Sequence, residues 1–199
     1  QEASKRLGFQ TQKIMRIAQE LYEGLNLGSE FGGVQGLITY MRTDSVNLSS
    51  LCINSSRKVI EDTMGTEYVK SRQYNVKAKG AQEAHEAIRP TYMEDSTIDA
   101  PAPEKRIYDL IWKRTIASQM ADAVIEKTTV NIAISGHSES FVATGEVTVF
   151  DGFLQVYRES TDDENTNESI AIPAVHKGDV LTTKEITATE RFTQHPPRY

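Results

Sequence analysis

The chain has 199 residues, 38% hydrophobic and 25% charged, a balance that supports a buried core of its own. A net charge of −6 excludes the strongly basic kind of nucleic-acid binder, and no run of about 18 apolar residues exists to cross a bilayer. The single cysteine, Cys52, excludes an internal disulfide and a multi-cysteine metal site, and fits a reducing, cytosolic setting. The charge is uneven: residues 1–124 hold 16 basic and 16 acidic residues, residues 125–199 hold 6 and 12. No signal peptide is expected from the opening residues. A start at QEASKRLGF without an initiator Met and an abrupt stop at RFTQHPPRY lead to the expectation of a piece of a longer protein.

The first 124 residues read as mainly helical. Thr11 is expected to cap a helix over QKIMRIAQELYEG, with Ile14, Ile17, Ala18 and Leu21 on one face and Gly24 as its stop. Asn26–Gln35 is glycine-rich and loop-like, and Gly36–Tyr40 suits a short strand or extended run. Ser49 is expected to cap a helix from about Ser50 to Met64, stopped by Gly65. Residues 66–82 show no clear period, and a short helix over Gln82–Ile88 should end at Arg89–Pro90. Pro103 then opens a strong helix, EKRIYDLIWKRTIASQM, with Ile107, Leu110, Ile111 and Ala117 facing inward.

From about residue 125 the period becomes two. Val130, Ile132 and Ile134 alternate with polar or small residues, and Phe141, Ala143, Val147 and Val149 repeat the pattern. Asp151–Gly152 reads as a hairpin-like turn before FLQVYRE, TDDENTNES at 161–169 as a flexible acidic loop, and Lys177–Gly178–Asp179 as a turn before VLTTKEITATERF. The expected class is α+β: a helical domain over 1–124, then an antiparallel β domain over 125–199.

Chemistry is concentrated in GLITYMRTDS at 36–45. Tyrosine can act as a covalent nucleophile, but with a free pKa near ~10 only about one in a thousand is ionised at pH 7. A guanidinium nearby favours the phenolate and offers paired donors to a phosphate. In an extended chain Arg42 stands on the same side as Tyr40, roughly 6–7 Å along, with Asp44 beyond it on that side to orient Arg42 and Thr43 pointing away. Spacing alone does not decide the matter, because an arbitrary Tyr-x-Arg is ordinarily a strand and turn with a surface ion pair. His85 alone, among Gln82, Glu83, Glu86 and Arg89, reads as a surface histidine.

The strings LITYMRTDS and QEAHEAIRPT, with IAQELYEG before them, closely resemble the type IA DNA topoisomerases, specifically the bacterial topoisomerase I branch. IYDLIWKRTIASQM, FDG at 150–152 and the closing FTQHPPRY also have counterparts there, so the resemblance covers the whole chain; Met41 is similar to the topoisomerase I version, where the topoisomerase III branch usually has proline. The resemblance implies that Tyr40 attacks a single-stranded DNA phosphodiester, giving a 5′-phosphotyrosine and a free 3′-hydroxyl. The other strand then passes through the gap, negative supercoils relax, and the break is religated. It implies that Arg42 holds the scissile phosphate and that His85 lies near that phosphate or the leaving hydroxyl. Arg89 would steady the DNA backbone or the active-site loop, Asp44 would support Arg42, and Tyr22 and Thr43 would line the site. It also implies a bacterial, cytoplasmic, nucleoid-associated enzyme whose Mg²⁺ is held by a toprim domain.

No toprim motif and no Gly-Arg-Pro-Ser-Thr signature occur in this sequence. The expectation is therefore the internal piece bearing the nucleophile and part of the β arch, inactive alone, with single-stranded DNA and the rest of its polypeptide as partners. No metal is expected to bind this piece; Asp162, Asp163 and Glu164 read as a solvated loop. His137, His176 and His195 read as surface residues, Trp112 as core or interface, and Cys52 as packing. A non-catalytic single-strand binder would need aromatic platforms in a basic groove, but aromatics make up only 8% and no basic stripe is present. A purely structural β-rich module leaves both long strings unexplained.

Overall fold

A computed structural model describes residues 1–26, 33–74, 85–158, 172–190 and 192. Within them the architecture is α+β. Helices α1 (Glu2–Leu7), α2 (Thr11–Glu23), α3 (Ser50–Thr63) and α4 (Ala102–Ser118) build a body around one core. Two strands, β1 (Leu25–Asn26) and β2 (Val34–Gln35), form a minimal antiparallel ladder, and β3 (Val124–Ala133) and β4 (Ser140–Phe150) form a long hairpin.

The apolar stripe of α2 is why it docks. Ile17 and Leu21 are fully buried against Ile60 of α3 and Ile107, Tyr108 and Ile116 of α4. Side chains of this size each contribute about 1.5–3 kcal/mol when removed from water. Gln10, in extended conformation, is the N-cap of α2, so Thr11 is the first helical residue and not the cap. Ser49 does cap α3, its hydroxyl accepting from the Cys52 amide at 3.3 Å. Pro103 lies in the first turn of α4, where its missing N–H costs nothing. Trp112 belongs to the core, its Nε1 donating to the Met93 carbonyl at 2.9 Å, and the Tyr108 hydroxyl donates to the Asp95 carbonyl at 2.7 Å. Both bonds tie residues 93–95 to α4.

Gly36–Tyr40 is an extended run and not a strand: it makes a single antiparallel bridge, Ile38 with Pro90, because the Leu37 N–H goes to the Leu21 carbonyl and the Arg89 N–H to the Thr39 hydroxyl instead of extending the ladder. Residues 85–88 are not helical, and 82–84 of the expected helix lie outside the described residues. The alternation at 125–150 does make a hairpin, with Val130 opposite Ala143 and Ile132 opposite Phe141. Two strands bury little by themselves, so Phe141, Val142, Val147 and Val149 all remain exposed.

Asp151–Gly152 does not turn into another strand. A 3₁₀ turn over Gly152–Gln155 carries the chain back to the helical body, where Tyr157 packs against Leu110 and Ala117 of α4. The Tyr157 hydroxyl donates to Glu2 at 2.8 Å. The hairpin base is fixed by a set of cross-links: Tyr68 donates through its hydroxyl to Asp151 at 2.9 Å, Ala121 N–H to the Tyr68 carbonyl at 2.7 Å, and Phe153 N–H to the Ala121 carbonyl at 2.9 Å. The buried amide of Gln119 both accepts from the Arg72 N–H and donates to the Arg72 carbonyl. Lys177–Gly178 is a turn as expected, held by Asp179 accepting from the His176 N–H, but the described residues 180–190 form no strand and are all exposed. The acidic stretch at 161–169 lies outside the described residues.

Gly152 sits at φ 50° with the Ala121 and Asp122 carbonyl oxygens 2.6 Å from where a Cβ would stand. Gly152→Ala should therefore lower unfolding stability by about 2 kcal/mol or more, from combined strain and crowding, in a urea titration. An unchanged midpoint would mean that the chain does not turn as tightly here as described.

Candidate nucleic-acid cleavage site

Two segments distant in sequence are sewn together along Gly36–Ser49 and His85–Thr91. The Thr39 N–H donates to the Arg89 carbonyl at 2.9 Å, and the Thr91 N–H to the Leu37 carbonyl at 2.9 Å. The Thr39 hydroxyl donates to the Ala87 carbonyl at 2.6 Å and accepts from the Arg89 N–H at 2.9 Å. The Thr91 hydroxyl donates to the Gly36 carbonyl at 2.8 Å, and the Ala87 N–H to the Asn47 carbonyl at 2.8 Å. Leu37, Ile38 and Met41 anchor the first segment in the core, and Pro90 and Met93 anchor the second.

This seam delivers Tyr40 and His85 to one place. Their rings meet edge to face, centroids 5.3 Å apart at 68°; Tyr22 meets the other side of Tyr40 at 5.3 Å and 69°. Such pairs contribute about 1 kcal/mol each beyond area burial. Tyr22 reaches this position because the end of α2 lies directly on Gly36: a Cβ there would stand 2.8 Å from the Tyr22 carbonyl oxygen. The Leu37 N–H also donates to the Leu21 carbonyl at 2.8 Å. Tyr40 nevertheless stays 37% exposed, so its ring is held at an open surface and not in the apolar interior. Among the described residues, the buried Nδ1 of His85 has no hydrogen-bond partner.

Exposure alternates from Tyr40 to Ser45 although the backbone bends: Tyr40, Arg42 and Asp44 face solvent, and Met41 and Ser45 are buried. Arg42 and Asp44 form no ion pair with each other, so Asp44 does not orient the guanidinium as expected from an extended chain. The bends at 41–42 remove that regular spacing. The Thr43 hydroxyl accepts from the Ser45 N–H at 3.0 Å and so shapes the loop. Arg89 is turned inward. Its Nε and Nη2 donate to Glu86 Oε2 at 3.2 and 2.6 Å, and its Nη1 donates to the Pro90 and Thr91 carbonyls.

Two residues beyond the expected set organise the site. Thr39 stands out in the sequence only as part of the extended run Gly36–Tyr40; its hydroxyl is the hub of the seam. Glu86 accepts from the Ser49 N–H at 2.7 Å through Oε1 while Oε2 holds Arg89, so one carboxylate joins the mouth of α3 to the histidine segment. The only signal for it in the sequence was the i,i+3 spacing to Arg89. Among the described residues, no group of three or more His, Cys, Asp or Glu side chains is arranged to hold a metal, and no helix is long and apolar enough to cross a membrane.

The site is thus a tyrosine held open beside an imidazole, on an α+β scaffold, with an exposed arginine two residues on. The match to the DNA topoisomerase family model runs over residues 1–199, and the chain belongs to that family. It is similar to DNA topoisomerase 1 of Xylella fastidiosa (47% identity) and of Rickettsia prowazekii (44%), in both cases over the whole of this chain. The full-length topoisomerase I of Thermotoga maritima has the same fold over 80% of the chain, with TM-score 0.67 and 35% identity. The chain spans about a quarter of the length of these relatives: 25%, 26% and 26% respectively.

Burial pushes the Glu86 carboxyl up, but the hydrogen bonds from Ser49 and Arg89 and the Arg89 charge outweigh it and hold the group below its ordinary value of 4.5. A depressed folded value means that this contribution to stability is complete above the ordinary value and is lost as pH falls through the lower, folded one. Glu86→Gln should therefore flatten the acid limb of the stability–pH curve as pH falls below the ordinary carboxyl value of 4.5. A limb of unchanged slope in urea titrations across that range would contradict the clamp.

Proposed function

We propose that the chain is the nucleophile-bearing segment of a bacterial type IA topoisomerase. In the whole enzyme, Tyr40 cleaves single-stranded DNA by transesterification. The phenolic oxygen forms a bond to phosphorus as the phosphorus–O3′ bond breaks. The phenol gives up its proton, and the departing 3′-oxygen takes one up. The product is a 5′-phosphotyrosine and a free 3′-hydroxyl. Passage of the other strand through the gap relaxes negative supercoils, and attack by the 3′-hydroxyl reverses the step without ATP. The observation that carries this reading is the edge-to-face contact of the Tyr40 and His85 rings at 5.3 Å on an open surface.

Arg42, exposed two residues on, supplies the cation for the phosphate oxygens, whose charge builds in the transition state. His85 serves the same phosphate or the leaving oxygen through a ring nitrogen. Tyr22 and Thr43 line and shape the site, Asp44 supports it from the surface, and Arg89 steadies the loop. Residues 1–124 act as the helical body carrying Tyr40, and 125–199 as part of an arch. Mg²⁺ acts in the whole enzyme and belongs to a toprim domain outside this segment; it adds positive charge near the DNA phosphates. The partners are single-stranded DNA and the other domains of the same polypeptide, in the bacterial cytoplasm at the nucleoid. The neutral balance of residues 1–124 is consistent with those domains supplying most of the phosphate neutralisation.

In the full-length enzyme, Tyr40→Phe should abolish the covalent protein–DNA adduct on denaturing gels and leave oligonucleotide binding largely intact. An adduct that persists would remove Tyr40 from the role. Arg42→Ala should slow single-turnover cleavage about a hundredfold or more with a much smaller change in Kd. Equal losses in rate and affinity would reduce Arg42 to a simple phosphate anchor.

A further inference from the structure

We propose that Glu86 is the positioning residue for His85: it fixes the imidazole against Tyr40 by clamping the histidine segment to the mouth of α3. The inference rests on the proposed role of Tyr40 and His85 and adds a residue that role does not name.

Glu86 is the neighbour of His85 in sequence, and its side chain bridges two otherwise separate structures. Oε1 accepts the Ser49 N–H at 2.7 Å, one residue before α3 begins. This end of the helix favours a carboxylate, since its first N–H groups are unsatisfied and carry partial positive charge. Oε2 accepts twice from Arg89, at 2.6 and 3.2 Å. Arg89 in turn is buried and fixed by the Pro90 carbonyl at 2.9 Å. Between these anchors lies Ala87, held by Asn47 through its N–H and by Thr39 through its carbonyl. His85 is thus placed from the Glu86 side by a charged bond at each carboxylate oxygen. Without them, the described restraints nearest to it would be the ring contact with Tyr40 and the Ala87 bonds two residues on. Small displacements of a reacting group cost large factors in rate, on the order of a hundredfold per ångström, so a clamp of this kind acts on cleavage and not on affinity.

The test is a double-mutant cycle in the full-length enzyme, read as single-turnover cleavage of a labelled oligonucleotide, with Kd measured alongside. Glu86→Ala should slow cleavage about tenfold or more with Kd within about twofold. In a His85→Ala background the same change should slow it less than about twofold further, because the residue it positions is gone. Glu86→Gln keeps an acceptor for the Ser49 N–H and should recover part of the rate; it also decides the matter if the alanine variant loses binding and so has not folded. Equal slowing in both backgrounds, or wild-type rates in both single variants, overturns the inference. An adduct formed by Tyr40→Phe would instead overturn the underlying assignment of the nucleophile, whatever the Glu86 variants do.

Discussion

Everything in this site depends on one seam, the hydrogen bonds that join Gly36–Ser49 to His85–Thr91. Tyr40 and His85 stand 45 positions apart in the sequence. Neither lies in a helix or a strand that would fix it by local rules. What makes them neighbours is that Thr39 closes three bonds at once, one through its N–H and two through its hydroxyl. Each such bond contributes only about 1 kcal/mol net, but leaving any of these groups unmet in a half-buried setting costs more than the bond returns. Irregular backbone is stable here because the accounting of donors and acceptors is nearly complete.

The helical body supplies what a seam alone cannot. Tyr108 and Trp112 on α4 take hold of the Asp95 and Met93 carbonyls, so the chain leaving Thr91 is fixed to the most deeply packed helix. The end of α2 presses on Gly36 and puts Tyr22 against Tyr40. Both segments are thus pinned, one by α2 and the other by α4, and the tyrosine ring stays exposed. A nucleophile for a polymer substrate needs this combination: it must be reached from solvent, yet its geometry must not be set by solvent.

Local physics made much of this readable in advance. The stripe of α2, the Ser49 cap and the proline-led start of α4 each depend on a few neighbouring residues, and each appeared where expected. The rest has a different cause. Asp151–Gly152 has the chemistry of a hairpin turn, but Phe153 and Tyr157 bury more by returning to α4 than by adding an edge to a two-stranded ribbon. Gly36–Tyr40 was open to a strand or an extended run, and it stops at one bridge because the Leu37 N–H is taken by the Leu21 carbonyl and the Arg89 N–H by the Thr39 hydroxyl. Tertiary partners decided both outcomes, and no window of adjacent residues contains them. Tyr40, Arg42 and His85 were singled out by a long resemblance, whereas Thr39 and Glu86 become visible only when their hydrogen bonds are known.

The two arginines of the motifs show how far residue type underdetermines role. Arg42 and Arg89 carry the same fork of N–H donors; Arg42 was expected at the scissile phosphate, Arg89 at the DNA backbone or the active-site loop. Arg89 spends all three nitrogens on Glu86, Pro90 and Thr91, and it is buried. To meet a phosphate it would have to give up its charge-assisted hydrogen bonds to the half-buried Glu86 carboxylate, at a cost of about 1.5–3 kcal/mol. Arg42 faces solvent with no ion pair to break among the described residues. On the proposed reading, a phosphate beside Tyr40 would find the Arg42 guanidinium unpaired and that of Arg89 already committed to the loop. The difference between them is set by Glu86, three residues before Arg89, together with the Pro90 and Thr91 carbonyls, none of which is bonded to Arg42.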